Sequence, residues 1–172
     1  MVRRAILLLF MAVSLFAASG ELSNRRAPGF ALPDPEYTRF YDLQDFRGKI
    51  VLIDIMATTC PHCLLLSTTL ERIKDKYGDK IAILSVVLPP DNQDTVAKYK
   101  AVNRITVPII CDMGQMTISY MNAKPGTNHV DVPHLFIIDQ QGMIRNDFGY
   151  EESTRPIFEG PGLFKEVDKL LK

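Results

Sequence analysis

Residues 49–63 read Lys-Ile-Val-Leu-Ile-Asp-Ile-Met-Ala-Thr-Thr-Cys-Pro-His-Cys, and this stretch decides the fold. Its first nine residues are almost all apolar and include several β-branched side chains, which is typical of a strand buried on both faces of a sheet. Apolar residues then recur at a spacing of three and four, as on the buried side of a helix; they are Cys63, Leu66, Leu70, Ile73 and Tyr77. The stretch therefore predicts a buried strand that leads directly into a helix ending at Gly78.

The middle of the chain repeats this alternation of strand and helix. Residues 80–88 and 107–111 have the composition of buried strands. Pro89-Pro90 breaks the chain after the first of them, and Asp91 is the predicted N-cap of a helix that runs to about Asn103.

The last third of the chain predicts a helix, a hairpin and a final helix. Asp112 can cap a short helix. Residues 135–139 and 143–148 flank Gln140-Gln141-Gly142 as the strands of a hairpin would. The closing helix has three apolar residues on one side: Phe164, Val167 and Leu171. Strand–helix units followed by a hairpin predict an α/β fold, with a central mixed β-sheet and helices on both faces.

The N-terminus has the pattern of a secretory signal peptide. Arg3 and Arg4 precede an apolar run over residues 5–18, which the small residues Ser19 and Gly20 close. The run is shorter than the roughly 20 residues that a membrane-spanning helix needs. We therefore expect export, to the periplasm or the extracellular space, where disulfides persist. An uncleaved segment that anchors the protein to a membrane is the alternative.

Length and composition fit one domain after this leader. We expect a signal peptide over residues 1–20 and a single domain over 21–172, whose Pro- and Gly-rich start, residues 21–36, is extended or loop-like. The 20 basic and 20 acidic side chains balance and form no basic block, so nothing indicates nucleic-acid binding.

Cys60-Pro61-His62-Cys63 is the motif that carries chemistry. It lies where the buried strand meets the helix, and the N-terminus of a helix stabilises a thiolate. Proline fits the first helical turn, and a protonated histidine adds positive charge beside the thiolate. The motif predicts Cys60 as the nucleophile and Cys63 as the resolving thiol of a redox pair. The alternative is half of a zinc site, which would need two further ligands.

Asp54 is a carboxylate inside an otherwise apolar strand. Such a group is costly to bury unless it is paired or protonated. Burial would raise its pKa towards neutrality and make it a plausible proton acceptor for the Cys63 thiol. The alternative is a carboxylate that backbone hydrogen bonds hold at the edge of the sheet.

The motif and its surroundings resemble the thioredoxin superfamily, and most closely its exported TlpA/ResA-like branch. The resemblance covers residues 27–172, and four stretches carry it: Ala27-Pro28-Gly29-Phe30-Ala31-Leu32, residues 48–63, Val132-Pro133 and residues 135–139. It implies a thioredoxin-like fold and an acid at the place of Asp54. It also implies a cis bond before Pro133, which lies against the cysteine pair while the neighbouring backbone binds the substrate chain. Pro61, Val132, Pro133 and His134 are thus the expected substrate-binding residues.

The chain departs from this family at the rim of the motif. Many relatives have tryptophans there, but this sequence contains none, and Met56-Ala57-Thr58-Thr59 precede Cys60. Pro61-His62 and Val132-Pro133 match those of the disulfide oxidase DsbA instead. The motif is therefore typical of a protein that oxidises its substrates, whereas the scaffold resembles reductases. The direction of electron flow stays open.

The leading hypothesis is a monomeric thiol–disulfide oxidoreductase without cofactor or metal, acting on protein thiols or disulfides together with a redox partner protein. A copper or zinc chaperone using Cys60, Cys63 and His134 is the alternative from another class. A peroxiredoxin-like peroxidase is disfavoured because Ala57 and Ile53 stand where that chemistry normally wants threonine and proline.

Several neighbouring residues are not expected to take part in the chemistry. Cys111 ends an apolar strand and is interpreted as a core residue, because free cysteine is among the most buried residue types. His129 is expected in a solvated loop. Three methionines fit a helix packed on the core better than a copper-binding site; they are Met113, Met116 and Met121.

Overall fold

The computed structural model describes residues 20–124, 126 and 129–172. The described strands are β1 (Arg25–Arg26), β2 (Ala31–Pro33), β3 (Phe40–Asp42), β4 (Ile50–Met56), β5 (Ile81–Val87), β6 (Ile109–Cys111), β7 (His134–Ile138) and β8 (Met143–Gly149). The described helices are α1 (Pro61–Tyr77), α2 (Gln93–Asn103), α3 (Gln115–Ser119), α4 (Arg155–Glu159) and α5 (Pro161–Leu170). Almost all of the predicted signal peptide, residues 1–19, lies outside this part of the chain. Within it, no helix is both long and apolar enough to cross a membrane.

The described strands form a mixed six-stranded sheet in the order β1-β8-β7-β4-β5-β6. β4 runs parallel to β5 and antiparallel to β7, so it is hydrogen-bonded on both sides. All of its residues are buried. This explains why β4 is a nearly unbroken apolar run: a strand covered on both faces has no solvent side on which polar residues would alternate. The predicted mixed sheet is confirmed.

Helices cover both faces of the sheet, as predicted. α1, α2, α4 and α5 pack on one face together with Ile50, Leu52 and Met56 of β4. α3 and the segment around β2 pack on the other face with Val51, Ile53 and Ile55. Since side chains alternate along a strand, Asp54 belongs to the face that α1 covers.

The amphipathic side of α1 is buried as its spacing predicts. Cys63, Leu66, Leu70 and Ile73 are fully buried against β4 and β5. Burying a leucine or isoleucine side chain contributes about 1.5–3 kcal/mol. The helix ends at Gly78, whose φ of 52° favours glycine and whose N–H donates to the Lys74 carbonyl. This packing fixes the helix, and therefore its N-terminus, against the end of β4.

Two sequence predictions about helix starts need correction. Asn92, not Asp91, is the N-cap of α2, and its side chain accepts hydrogen bonds from the N–H groups of Asp94 and Thr95. Both residue types cap well, and Asp91 is instead engaged elsewhere, as described below. Met113 is 80% exposed rather than packed on the core, because α3 begins only after it, at Gln115.

Other elements were not predicted from the sequence. β1 lies inside the segment expected to be extended, and β2 and β3 pair as a separate two-stranded sheet. α4 precedes the final helix and is separated from it by Gly160, with a φ of 117°. These elements are only two to five residues long, which is too short for a periodic pattern to develop.

Candidate active site

Cys60 lies at the junction of β4 and α1 and is the N-cap of the helix. Its sulfur accepts a hydrogen bond from the backbone N–H of Cys63 at 3.2 Å, and Pro61 occupies the first helical turn. Cys60 is partly exposed, whereas Cys63 is fully buried one turn into the helix. Both are free thiols. A partner molecule can therefore reach the first sulfur and not the second.

The loop before Cys60 is held by Asp91. The Asp91 carboxylate accepts hydrogen bonds from the backbone N–H of Thr58 at 2.8 Å and from the Thr58 hydroxyl at 2.5 Å. It also accepts a bond at 2.9 Å from the hydroxyl of Thr95 in α2. Asp91 thus ties the loop that carries Cys60 to the start of α2, a role that no local sequence signal indicated.

Asp54 lies beneath the cysteine pair in the central strand. It is fully buried, and its contact with the Ser85 hydroxyl is long, 3.5 Å. Its second oxygen, Oδ1, has no hydrogen-bond partner among the described residues. The alternative of a carboxylate held by backbone bonds at the edge of the sheet is therefore wrong, because β4 is paired on both sides.

Burial raises the pKa of Asp54 to about 8. Burial also raises the pKa of the Cys63 thiol, and the negative charge of Asp54 raises it further. A carboxylate that is protonated at neutral pH and ionises only slightly above it can exchange a proton with a buried thiol. The arrangement is compatible with the proton-acceptor role predicted for Asp54.

The Val132–Pro133 peptide bond is cis, as the resemblance implied. The thiol of Cys60 lies 3.7 Å from the Val132 carbonyl oxygen, so the loop contacts the reactive sulfur. Val132 is partly buried, and Pro133 is buried directly before β7. The structure therefore brings the Val132–Pro133 pair, two of the four expected substrate-binding residues, to Cys60.

His134 is engaged with Asp147 rather than free to bind a ligand. Its Nε2 lies 3.1 Å from Asp147 Oδ2. The same carboxylate accepts hydrogen bonds from the Ser23 hydroxyl and from the N–H of Leu22. Although burial opposes it, the bonds from His134 and Ser23 lower the pKa of Asp147. This contact joins β7, β8 and the start of the described chain, and it was missed because its members are far apart in sequence.

The metal-binding alternative gains no support from the geometry. Across residues 20–124, 126 and 129–172, no three His, Cys, Asp or Glu side chains are grouped so that they could hold a metal ion. Cys60, Cys63 and His134 belong to this region and form no such group. Cys111 is partly buried at the end of β6 and packs against the core, where burial raises its pKa.

Two grooves flank Val132. One, of about 870 Å³, includes His62, Pro133, His134 and Tyr150 in its lining. Its described lining also contains four carboxylates and no lysine or arginine; the carboxylates are those of Glu21, Asp131, Asp147 and Glu151. His129 contributes as well and is 83% exposed, as expected for a solvated loop.

The second groove, of about 550 Å³, is largely apolar and includes exposed Met113 and Ile118 in its lining. Ala57 and Val132 are also part of its lining. The reactive sulfur contacts the carbonyl of Val132, a residue that both grooves share.

The fold and the site together define a thioredoxin-like protein with a Cys-X-X-Cys pair at a helix N-terminus. The chain matches the AhpC/TSA family over residues 24–147, and it belongs to this family. It is 27% identical over 139 residues to "Thiol-disulfide oxidoreductase ResA" of Bacillus thuringiensis, covering 80% of this chain and 75% of that protein. It is 26% identical to the "Thioredoxin-like protein YneN" of Bacillus subtilis, covering 74% and 71%.

The solved structures agree on the fold. A thiol:disulfide interchange protein of the thioredoxin family from Chlorobium tepidum superposes with a TM-score of 0.69 at 16% identity, covering 91% of this chain and 99% of that one. Together with the curated relatives, this confirms the predicted thioredoxin-like fold and the resemblance to ResA. The protein is a thiol–disulfide oxidoreductase.

Proposed function

We propose that the protein exchanges disulfides with protein substrates outside the cytoplasm, through Cys60 and Cys63. The observation that carries the proposal is the asymmetry of the pair: Cys60 is partly exposed at the N-terminus of α1, and Cys63 is buried one turn into the helix. An exposed thiol that a helix N-terminus stabilises is suited to attack, and a shielded one is suited to resolve.

The exchange proceeds in two steps. The Cys60 thiolate attacks one sulfur of a substrate disulfide, a mixed disulfide forms, and the other substrate sulfur leaves as a thiolate. Cys63 then gives its proton to Asp54 and attacks the Cys60 sulfur, which releases the second substrate sulfur. Two electrons pass from the cysteine pair to the substrate. The reverse sequence oxidises a substrate dithiol, and a redox partner protein restores the pair in either case.

The two grooves that share Val132 support a polypeptide as the substrate. The grooves have volumes of about 550 and 870 Å³, which offers room for a chain, and the family resemblance assigns substrate binding to the backbone beside Pro133. His62 and His134 line one of these grooves and Pro61 lies on the exposed first turn of α1. Export rests on the leader pattern of residues 1–20, and it would place the pair where disulfides persist.

The first experiment is a measurement of the reduction potential of the Cys60–Cys63 pair. The full chain is produced by export and equilibrated in glutathione buffers, and the reduced fraction is read by alkylation and mass spectrometry. The measurement is made in the Cys111→Ala variant, so that the alkylation signal comes only from Cys60 and Cys63. A value near about −120 mV identifies an oxidant, and one near about −270 mV a reductant. The absence of any reversible two-electron couple would overturn the proposal.

Trapping of substrates is the second test. Cys63→Ala should accumulate mixed disulfides with proteins through Cys60, because the resolving thiol is missing. Cys60→Ala is the matched control and should accumulate none, since Cys63 is buried. Equal trapping by both variants would contradict the assignment of Cys60 as the nucleophile.

A further inference from the structure

His62 of the motif is stacked on an aromatic residue that the sequence did not single out. The imidazole ring lies on the ring of Tyr150 with the two centroids 3.8 Å apart and the planes 18° from parallel. Tyr150 directly follows β8, so it is remote from the motif in sequence. The contact fixes the orientation of an otherwise exposed side chain in the first turn of α1.

The ring of Tyr150 is itself held in place by Phe158. It packs edge-on against Phe158, with the centroids 5.2 Å apart and an angle of 70° between the planes. Phe158 is fully buried in α4, and its carbonyl accepts a hydrogen bond of 2.8 Å from the hydroxyl of Thr69 in α1. The stack is therefore supported by the same helix that carries the cysteine pair, and His62 rests on a rigid platform.

The surroundings of His62 are an aromatic face and a groove lined by acidic residues. The face of an aromatic ring attracts a cation. The groove that His62 lines also contains the titratable groups Glu21, His129, Asp131, His134, Asp147 and Glu151, and its described lining has no lysine or arginine. The described lining is therefore acidic, and it offers no competing lysine or arginine cation to the imidazole. An imidazolium in the first turn of α1 stabilises the thiolate of Cys60.

We propose that Tyr150 is a positioning residue that holds the His62 ring in the first turn of α1, where its protonated form stabilises the Cys60 thiolate and makes the cysteine pair more oxidising. The inference rests on the proposed function, because it concerns the same redox pair. Stabilising the Cys60 thiolate stabilises the reduced form of the protein, so the disulfide form becomes a stronger electron acceptor. Tyr150 is then one determinant of the direction of electron flow that the motif alone leaves open.

The test compares reduction potentials of the full chain with Tyr150→Leu and Tyr150→Phe. Leucine removes the aromatic face and should shift the glutathione equilibrium about threefold to tenfold towards the oxidised protein, where tenfold corresponds to about 30 mV. Phenylalanine keeps the face and should restore the wild-type value. The pH at which Cys60 becomes reactive towards iodoacetamide should rise in the leucine variant and not in the phenylalanine variant.

A His62→Ala background separates positioning from a general structural effect. There, Tyr150→Leu should cause no further shift of the equilibrium, because the charge that Tyr150 positions is absent. A shift of the same size in that background would overturn the proposal, and so would an unchanged potential in Tyr150→Leu itself.

Two controls keep these outcomes interpretable. The ring-current shift of the His62 NMR signals reports the stack directly in the wild type and in Tyr150→Phe, even if the leucine variant folds poorly. If the wild type has no reversible two-electron couple, the proposed function fails as a whole. If the couple is present but insensitive to Tyr150, only this inference fails.

Discussion

Asp54 occupies a position in β4 where an apolar side chain would stabilise the fold better. It is fully buried, it has one weak contact with Ser85, and one of its oxygens has no partner among the described residues. Stability therefore does not explain why an aspartate occupies this position. Buried carboxylates with a shifted pKa are concentrated at functional sites. The electrostatic interaction of Asp54 with Cys63 gives a functional reason for its presence.

Asp54→Asn should slow the resolving step of disulfide exchange. Asparagine has nearly the same shape and cannot accept the Cys63 proton, and general-base catalysis contributes about 100-fold or more. Because the pKa of Asp54 is about 8, the wild-type rate should rise as pH approaches and passes 8. The variant should lose this part of the pH profile.

Stopped-flow measurement of mixed-disulfide resolution between pH 6 and 9 tests this expectation. Asp75→Asn, an exposed change in α1, is the matched control and should leave the profile unchanged. An Asp54→Asn profile identical to that of the wild type would remove the proton-acceptor role.

The same residue predicts a dependence of stability on pH. The pKa of Asp54 is raised in the folded protein from 3.8 to about 8, so between these values the folded state holds a proton that the unfolded state has lost. The contribution of Asp54 to the free energy of unfolding therefore falls as pH rises from about 4 to about 8, by up to a few kcal/mol. The amide side chain of the Asp54→Asn variant does not titrate, so this dependence should be absent from it.

Denaturant unfolding of the reduced protein with and without Asp54→Asn measures this effect. The variant should be similar to the wild type near pH 4 and increasingly more stable than it towards pH 8. A difference that does not change with pH would show that the side chain is not buried in the way described.

At the scale of elements, the loop that carries Cys60 depends on Asp91 to connect it with α2. Removing this carboxylate leaves the N–H and the hydroxyl of Thr58 without their acceptor, and it leaves the Thr95 hydroxyl with the Asn92 carbonyl as its acceptor. Asp91→Ala should therefore lower the free energy of unfolding by about 1–3 kcal/mol. It should also slow the attack of Cys60, because the loop between β4 and α1 becomes less well fixed.

Thermal unfolding and the rate of Cys60 alkylation measure the two effects. Asp94→Ala is the matched control, since Asp94 is an exposed acid in the first turn of α2 and not part of this connection. If both alanine variants lose the same stability and keep the same alkylation rate, the connection has no role at the site.

The elements that the sequence predicts are those with a long enough pattern. β4, β5 and α1 are seven residues or more and are buried along their length or along one side, so composition and spacing identify them. β2 and α4 have three and five residues and owe their form to neighbours in the fold. Asp91 and Asn92 are adjacent residues that both suit an N-cap, and only the tertiary contact with Thr58 decides between them.

At the scale of the molecule, the site divides into a local and a distant part. Cys60 and Cys63 come from one continuous stretch, which is why the sequence predicts them. Asp91, Asp147 and Tyr150 reach the site only when the sheet is assembled, and a single sequence contains no signal for such contacts. The fold class could thus be predicted in full, and the site only in its central part.

The redox state of the pair should change the stability of the whole molecule. Two groups near Cys60 favour its thiolate: the N–H of Cys63, which donates to the sulfur at 3.2 Å, and the protonated form of His62, two residues along the chain. Both favour the reduced, folded protein over the oxidised one. A closed disulfide ordinarily stabilises a protein by restricting the unfolded chain, but this gain is small for a loop as short as that between Cys60 and Cys63. We therefore expect the reduced protein to be more stable than the oxidised protein.

Guanidinium unfolding of both redox forms, with Cys111→Ala to prevent other disulfides, gives the difference directly. Around a thermodynamic cycle, each 1.4 kcal/mol of extra stability in the reduced form makes the folded pair about tenfold more oxidising than the unfolded pair. Tyr150→Leu should narrow the difference, while Tyr150→Phe should preserve it. If the oxidised protein were instead the more stable form, the contacts around Cys60 would not outweigh the disulfide, and the protein would act as a reductant.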